Sequence, residues 1–415
     1  MTNKIIFHID MDSFFVSCER LMNPKLKNKP LAIAKPHKRS IASSISYELK
    51  KLGFKPGDSF AIIKKQVPEI VFVKPHYELY THFAHKVFNY LAKNYTENIE
   101  IYSIDECYID MTSFMETYHS SPIVLAHEIQ EKILKNIGLP CSIGISYTKF
   151  LAKMSTNMAK PYGILETKKD QIKDRFFDLK IDDVFGIGKS TAFKLHNIGI
   201  YKYKDLLQYK NFYALNQIFG KNYNDMISQM NGEIENDIVV EQELSKGISN
   251  TVTFMENDYS DKSIIYEYLY KIVENISSRA QLHNVESSNI AILIRKSNKN
   301  WISKQKKLAI PTNDFDLILK ISKKLFDELW DEQMIRGIGV RVTDLNSIFL
   351  KKCEFDLFND FNDNKIKRLI FTLNQEFGSN VLKTMKQLEM EQKAKTKNMK
   401  FLREDNWIEG TKIKI

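Results

Sequence analysis

Residues 99–110, IEIYSIDECYID, decide how the rest of the chain is read. Ile and Tyr alternate around Ser103-Ile104-Asp105-Glu106, so the stretch predicts two short strands joined at an acidic bend. Adjacent carboxylates between apolar flanks are costly unless a cation sits between them. Mg2+ takes oxygen ligands and keeps several waters, which suits an Asp-Glu pair joined by a third carboxylate. That third carboxylate stands near the start of the chain. Residues 4–12, KIIFHIDMD, predict an apolar strand ending in Asp10 and Asp12, which alternate with Ile9 and Met11. Two strand ends bringing Asp10, Asp105 and Glu106 together would make a two-metal site for phosphoryl chemistry. Surface acids at strand ends are the bland alternative, and the apolar flanks and the second acidic strand end weigh against it.

The 415 residues suffice for several domains of roughly 150 residues each. A hydrophobic content of 43% and a charged content of 27% are those of a globular protein. Cys18, Cys107, Cys141 and Cys353 lack CxxC spacing, which argues against a zinc site or a disulfide framework and fits a reducing, cytoplasmic setting. No apolar run reaches membrane-spanning length and the first residues lack the shape of a secretory signal, so no membrane partner is expected. The net charge of +10 points to a polyanion, most simply nucleic acid.

The distribution of that charge says more than its sum. Residues 26–77 hold eleven Lys/Arg against Glu48, Asp58 and Glu69, a net of +8. There LAIAK predicts a strand and SISYELKKLG a helix ended by Gly53, on which Ser44, Tyr47 and Lys50 fall at i, i+3 and i+6 and share a side. Ser13 reads as the N-cap of a helix over 13–20, residues 78–95 and 123–137 as longer helices, and CSIGIS as a further strand. Strand, helix, paired strands, helix, strand is the split βαβ order with acids at strand ends. Residues 149–160 predict a helix closing at Pro161-Tyr162-Gly163, and 170–232 are mostly helical. In Phe185-Gly186-Ile187-Gly188, Gly186 and Gly188 admit close approach to a DNA phosphate, received by the helix that Lys189 opens. A lone GxG is no more than a tight turn; KSTAFKLHNIG behind it makes the signal specific. Residues 251–345 alternate strands with two helices, and 351–415 form a charged tail with an amphipathic helix near 365–377. Within them 295–307, RKSNKNWISKQKK, predict a strand pair and loop carrying Arg295, Lys296 and Lys304 along duplex phosphates, continued by Arg341.

HIDMDSFFVSCE, YSIDECYID, GISYTKFLAKMSTNMAKPYG and DVFGIGKSTAFKLHNIGI occur in this order and together resemble the Y-family (translesion) DNA polymerases, from about residue 4 to residue 345. The resemblance implies an α+β multidomain, right-hand polymerase. A split-βαβ palm would occupy 1–25 and 78–166, small fingers 26–77, and a helical thumb with its helix-hairpin-helix 167–233. A linker over 234–250, an α+β little finger over 251–350 and a tail over 351–415 would follow. Asp10, Asp105 and Glu106 would be catalytic and hold two Mg2+ ions, with the Met11 carbonyl as a further oxygen. Phe15 falls where the family places its steric gate against the ribose 2′-hydroxyl; Phe14, beside it at the nucleotide site, also reads as a core aromatic. Ser44, Tyr47 and Lys50 fall at triphosphate contacts, with Lys50 replacing a usual Arg and so trading a bidentate fork for a point charge that Lys51 could share. Lys160 matches the palm lysine for the same phosphates. Asp12 and Asp110 read as structural, Asp12 as a cap of the following helix.

Residues 354–358, EFDLF, resemble the bacterial sliding-clamp peptide QLxLF, with Glu354, Leu357 and Phe358 as its contacts. The partners implied are primer-template DNA, dNTP, the clamp and accessory damage-response proteins, in the setting of an SOS response. Low fidelity is likewise implied by the family. It agrees with the lack of any segment resembling a proofreading exonuclease, and with fingers too small to fold over the nascent pair. Ser43 and Ile45 beside Ser44 would leave that pocket roomy. Two other classes compete: a catalytically inactive DNA- and clamp-binding adaptor of the same fold, opposed by intact Asp10, Asp105, Glu106 and Lys160, and a helix-hairpin-helix repair protein. KPYG and YELKK point to a stand-alone DinB-like branch, whereas GFKPGDSF and residues 369–382 lean slightly toward a UmuC-like one.

Overall fold

The first strand, β1 (Ile6–Met11), is buried over its whole length because a different layer covers each of its faces. In the computed structural model, residues 4–35, 37, 39–233, 238–239 and 246–347 are described. They fall into two compact units, one up to residue 239 and one from residue 246. The tail over 351–415, with Glu354, Leu357 and Phe358, lies outside the described residues.

After β1, the first unit contains β2 (Leu31–Ile33), β3 (Ser44–Ile45), β4 (Val71–Val73), β5 (Ile99–Ile101), β6 (Glu106–Asp110), β7 (Cys141–Ser146) and β8 (Ile164–Glu166). Five of these form a sheet of order β5-β6-β1-β7-β8, in which β1 runs antiparallel to both neighbours. Alternation along β1 then divides its side chains. Phe7, Ile9 and Met11 enter a core shared with Phe83, Val87 and Leu91 of helix Tyr77–Asn94 and Ile129 and Ile133 of helix Pro122–Ile137. His8 and Asp10 point the other way and meet helix Lys149–Ala159.

That helix lies against the sheet because β7 carries Gly144. A Cβ there would stand 2.1 Å from the Ala152 carbonyl oxygen and 2.4 Å from the Thr156 nitrogen. Only glycine permits so close an approach. Thr148 accepts from the Leu151 N–H and so caps the helix start. The helix also packs Phe150, Leu151 and Met154 into the core of the short helices over 172–230, beside Phe176, Leu195 and Tyr203.

The basic segment forms a separate three-stranded sheet, β3-β2-β4. Here the structure departs from the sequence reading, since Ser44 lies on a strand and helix Tyr47–Lys51 begins after it. Ser44 and Ile45 pair with Ile33 and Ala32, and full burial of β-branched Ile45 favours the sheet over another helical turn. Ile45 therefore fills the small core with Leu49 and Ile63 rather than lining a nucleotide pocket. The Ser13 cap also fails. Helix Phe14–Met22 follows a left-handed Ser13 (φ 45°) whose side chain makes no capping bond.

The second unit is a four-stranded antiparallel sheet of β9 (Gly247–Thr253), β10 (Val285–Lys296), β11 (Trp301–Thr312) and β12 (Ile335–Ser347), in the order β11-β10-β12-β9. Helices Lys262–Leu282 and Phe315–Leu329 bury Leu269, Ile276, Ile318 and Phe326 against Ile292 and Val340 of this sheet. Among the described residues no helix is long and apolar enough to cross a membrane.

Candidate active site

The antiparallel register places Asp10 directly opposite Glu106, so the first strand end and the acidic bend meet as their sequences predict. Asp105 is held at the bend by its neighbours: its carbonyl accepts from Met11 N–H at 2.9 Å and its carboxylate from Ser103 Oγ at 2.7 Å. The Tyr102 and Ser103 N–H groups both donate to the Glu106 carbonyl at 3.1 Å and close the turn.

Two lysines face the acids. Lys160 Nζ donates to Asp10 Oδ1 at 2.6 Å, and Lys153 Nζ donates to Asp10 Oδ2 at 3.0 Å and also to Glu106. Sequence reasoning found Lys160 and missed Lys153. Its signal was present, because Lys153, Thr156 and Lys160 recur at i, i+3 and i+7 and share a helical face. His8 was missed as well. Its Nδ1 pairs with Thr156 Oγ1 at 2.9 Å and its Nε2 stands 3.6 Å from Glu106 Oε2.

The carboxyls respond in opposite directions. Burial first, and then the charge on Asp10, pushes Asp105 up to about 6 against the pull of the Ser103 hydroxyl. Burial also works to raise Glu106, but His8 and Lys153 outweigh it and hold this carboxyl well below the usual range. His8 is lowered, chiefly by burial, and is neutral at pH 7. A divalent cation fits this donor set. Three carboxylates where β1 meets the bend before β6 exceed the charge of two lysines, and the charge on Asp10 adds to burial in raising Asp105. Ligand atoms of His8, Asp10 and Glu106 lie within 4.8 Å of one another.

Asp12 is structural, but it is not a cap. Its carboxylate accepts from Tyr47 Oη at 2.8 Å, from Ser142 Oγ at 3.1 Å and from the Tyr162 N–H at 2.8 Å. It thus ties β1 to helix Tyr47–Lys51, to β7 and to the loop after Lys160. Lys50 Nζ sits 4.0 Å over the Tyr47 ring. Burial, and then the charge on Lys160, lowers Lys50, so the two lysines act on one volume beside the acids. Phe14 is buried in the core, as its alternative reading had it. Phe15 is half-buried and stacks on Tyr80 with ring centroids 4.2 Å apart.

Farther out, Gly186 takes φ +87° and Gly188 precedes helix Lys189–His196, with Lys189 exposed. The intervening hairpin is anchored by Phe185, which packs edge-on against Tyr102 at the acidic bend. In the second unit, residues 295–307 form the predicted strand pair and loop. Arg295 faces Trp301 across the strands and donates to Thr253 Oγ1 at 2.8 Å. Lys296 and Lys304 carry ion pairs to Asp331 and Glu328, each at 2.9 Å, which the sequence did not reveal. Such exposed pairs contribute little. Arg341 is exposed on β12.

Residues 9–157 match the impB/mucB/samB family and residues 245–350 the impB/mucB/samB family C-terminal domain. DNA polymerase IV of Oceanobacillus iheyensis is 33% identical over 391 residues, covering 92% of each chain. A solved Y-family DNA polymerase chimera, Dbh-Dpo4(243-245)-Dbh, superposes with a TM-score of 0.73 at 27% identity, over 83% of this chain and 99% of its own. The insertion ternary complex of Dbh DNA polymerase is similar at 26% identity with a TM-score of 0.56, over 83% of this chain and 99% of its own. The chain belongs to the Y-family DNA polymerases.

Proposed function

We propose that this chain is a template-directed DNA polymerase of low fidelity that copies damaged templates, transferring a nucleotidyl group from dNTP to a primer 3′-hydroxyl. The observation that carries the chemistry is the cross-strand pairing of Asp10 with Glu106 beside Asp105, under two lysines. Asp10, Asp105 and Glu106, with the Met11 carbonyl, would hold two Mg2+ ions. When bound, the ions acidify the primer hydroxyl and offset charge on the departing pyrophosphate.

The remaining work falls to the chain's own side chains. Lys50 and Lys160 offer positive charge to the triphosphate, and Tyr47 is aimed by Asp12. Ser44, on the strand before helix Tyr47–Lys51, would add a hydroxyl donor to the triphosphate. Phe15, braced by Tyr80, would be the wall that excludes a 2′-hydroxyl. The hairpin at Gly186 and Gly188, Lys189, and separately Arg295, Lys296, Lys304 and Arg341 would meet DNA phosphates. A similar enzyme captured as an insertion ternary complex supports primer-template DNA and dNTP as substrates. The pentapeptide over 354–358 supports a sliding clamp as partner, and the family supports accessory damage-response proteins. The adaptor reading has no observation in its favour, because no acid of the site is missing.

Primer extension by the purified chain with Mg2+, on an undamaged template and on one bearing an abasic site, tests this function. Extension past the lesion is expected. Absence of synthesis on both templates by a folded chain would return the adaptor.

A further inference from the structure

Lys153 enters none of the steps above, yet it occupies the centre of the acid cluster. It is 7% exposed. Its ammonium bridges Asp10 and Glu106 from helix Lys149–Ala159, which Gly144 allows to lie on the sheet. Ala152 and Met154 on either side of it are fully buried. A buried ammonium is tolerated only when its donors are matched by acids, and these acids match them. The other Asp10 oxygen is held by Lys160, whose side chain is 27% exposed against 9% for Lys153. Lys160 can therefore swing toward water and a triphosphate, whereas Lys153 faces only the carboxylates. A divalent ion held by Asp10 and Glu106 would draw on the oxygens that Lys153 holds.

We infer that Lys153 is an internal counter-cation: it holds the Asp10 and Glu106 carboxylates in place when no metal is bound, and it competes with a divalent cation for their oxygens. The inference rests on the metal-site reading above, and its consequence is the reverse of a ligand's: removing Lys153 tightens metal binding.

The test is Mn2+ binding by calorimetry on the full chain, without DNA or nucleotide, for wild type, Lys153→Met, Lys153→Gln, Lys153→Arg and Asp10→Asn. The Met and Gln variants should bind about tenfold tighter or more, since a like charge in contact with the site has been removed. Lys153→Arg should bind no tighter than wild type. In EDTA, Lys153→Met should melt below wild type, and Mn2+ should raise its melting temperature by the larger amount. If Lys153→Met does not fold, Lys153→Gln decides, because it keeps a donor without the charge. Folded Met or Gln variants that bind Mn2+ no tighter than wild type overturn the inference. Wild-type binding that is absent, or that survives Asp10→Asn, instead overturns the metal site itself and leaves Lys153 as an ordinary buried ion pair.

Discussion

Replacing Asp105 by Asn should stabilise the metal-free chain while abolishing its activity. The folded environment lifts this carboxyl from 3.8 to about 6 through burial and the charge on Asp10. A rise of about two units corresponds to roughly 3 kcal/mol at 1.36 kcal/mol per unit. The sign follows from proton binding. Between about pH 4 and pH 6 the folded chain binds this proton more tightly than the unfolded chain, so stability falls as pH rises through that window. Above it the full penalty is present. Asn cannot ionise, and its Oδ1 can still accept from Ser103 Oγ, so the variant escapes the penalty and keeps the turn. Urea unfolding in EDTA should show Asp105→Asn more stable by up to about 3 kcal/mol at pH 8 and by about half as much at pH 5. Equal stability at pH 8, or a gap that does not change with pH, would refute the claim that burial and the charge on Asp10 penalise the ionised Asp105.

Phe15→Ala should admit ribonucleotides, with discrimination falling on the order of a hundredfold while dNTP incorporation falls modestly. Single-nucleotide insertion kinetics with dNTP and rNTP read this out, and unchanged selectivity in a folded variant would move the gate to another side chain. Asp12→Asn should act mainly on KM for dNTP, because it faces the Tyr162 N–H with a second donor and loosens Tyr47. The cost is about 1–3 kcal/mol of nucleotide affinity, measured by steady-state kinetics, and a selective loss of kcat would contradict it. Leu357→Ala combined with Phe358→Ala should remove stimulation by a bacterial sliding clamp and leave unassisted synthesis intact; stimulation that survives places the contact elsewhere.

The acidic strand ends were legible because a two-residue period and a run of apolar neighbours are local properties. Asp10 and Glu106 could be joined from the sequence since one stands at the end of an apolar strand and the other at the start of a second. What could not be read depends on approaches between distant segments. Lys153 meets Asp10 across 143 residues, and in a one-dimensional reading an isolated helical lysine belongs to solvent. Its burial follows from the missing Cβ of Gly144, which fixes how closely the helix lies to the sheet. Asp12 was read as a cap because acids before helices usually cap them; here three donors from other segments compete for the carboxylate and win. Ser44 was placed on a helix because its spacing to Tyr47 and Lys50 is helical. Pairing of Ser44 and Ile45 with β2 is a tertiary contact that overrides local spacing. The acids beside Lys296 and Lys304 lie some twenty to forty residues further along the chain and left no mark on that basic run.

The central claim, that synthesis takes place where β1 meets the bend before β6, is tested most directly by single-turnover incorporation of one dNTP. Wild type, Asp10→Asn and Glu106→Ala would be compared, with primer-template affinity and thermal stability measured on the same preparations. The account predicts that both variants fold and bind DNA as wild type does but lose at least about a thousandfold in incorporation rate, some 4 kcal/mol of barrier. Incorporation at a near wild-type rate by either folded variant would contradict it.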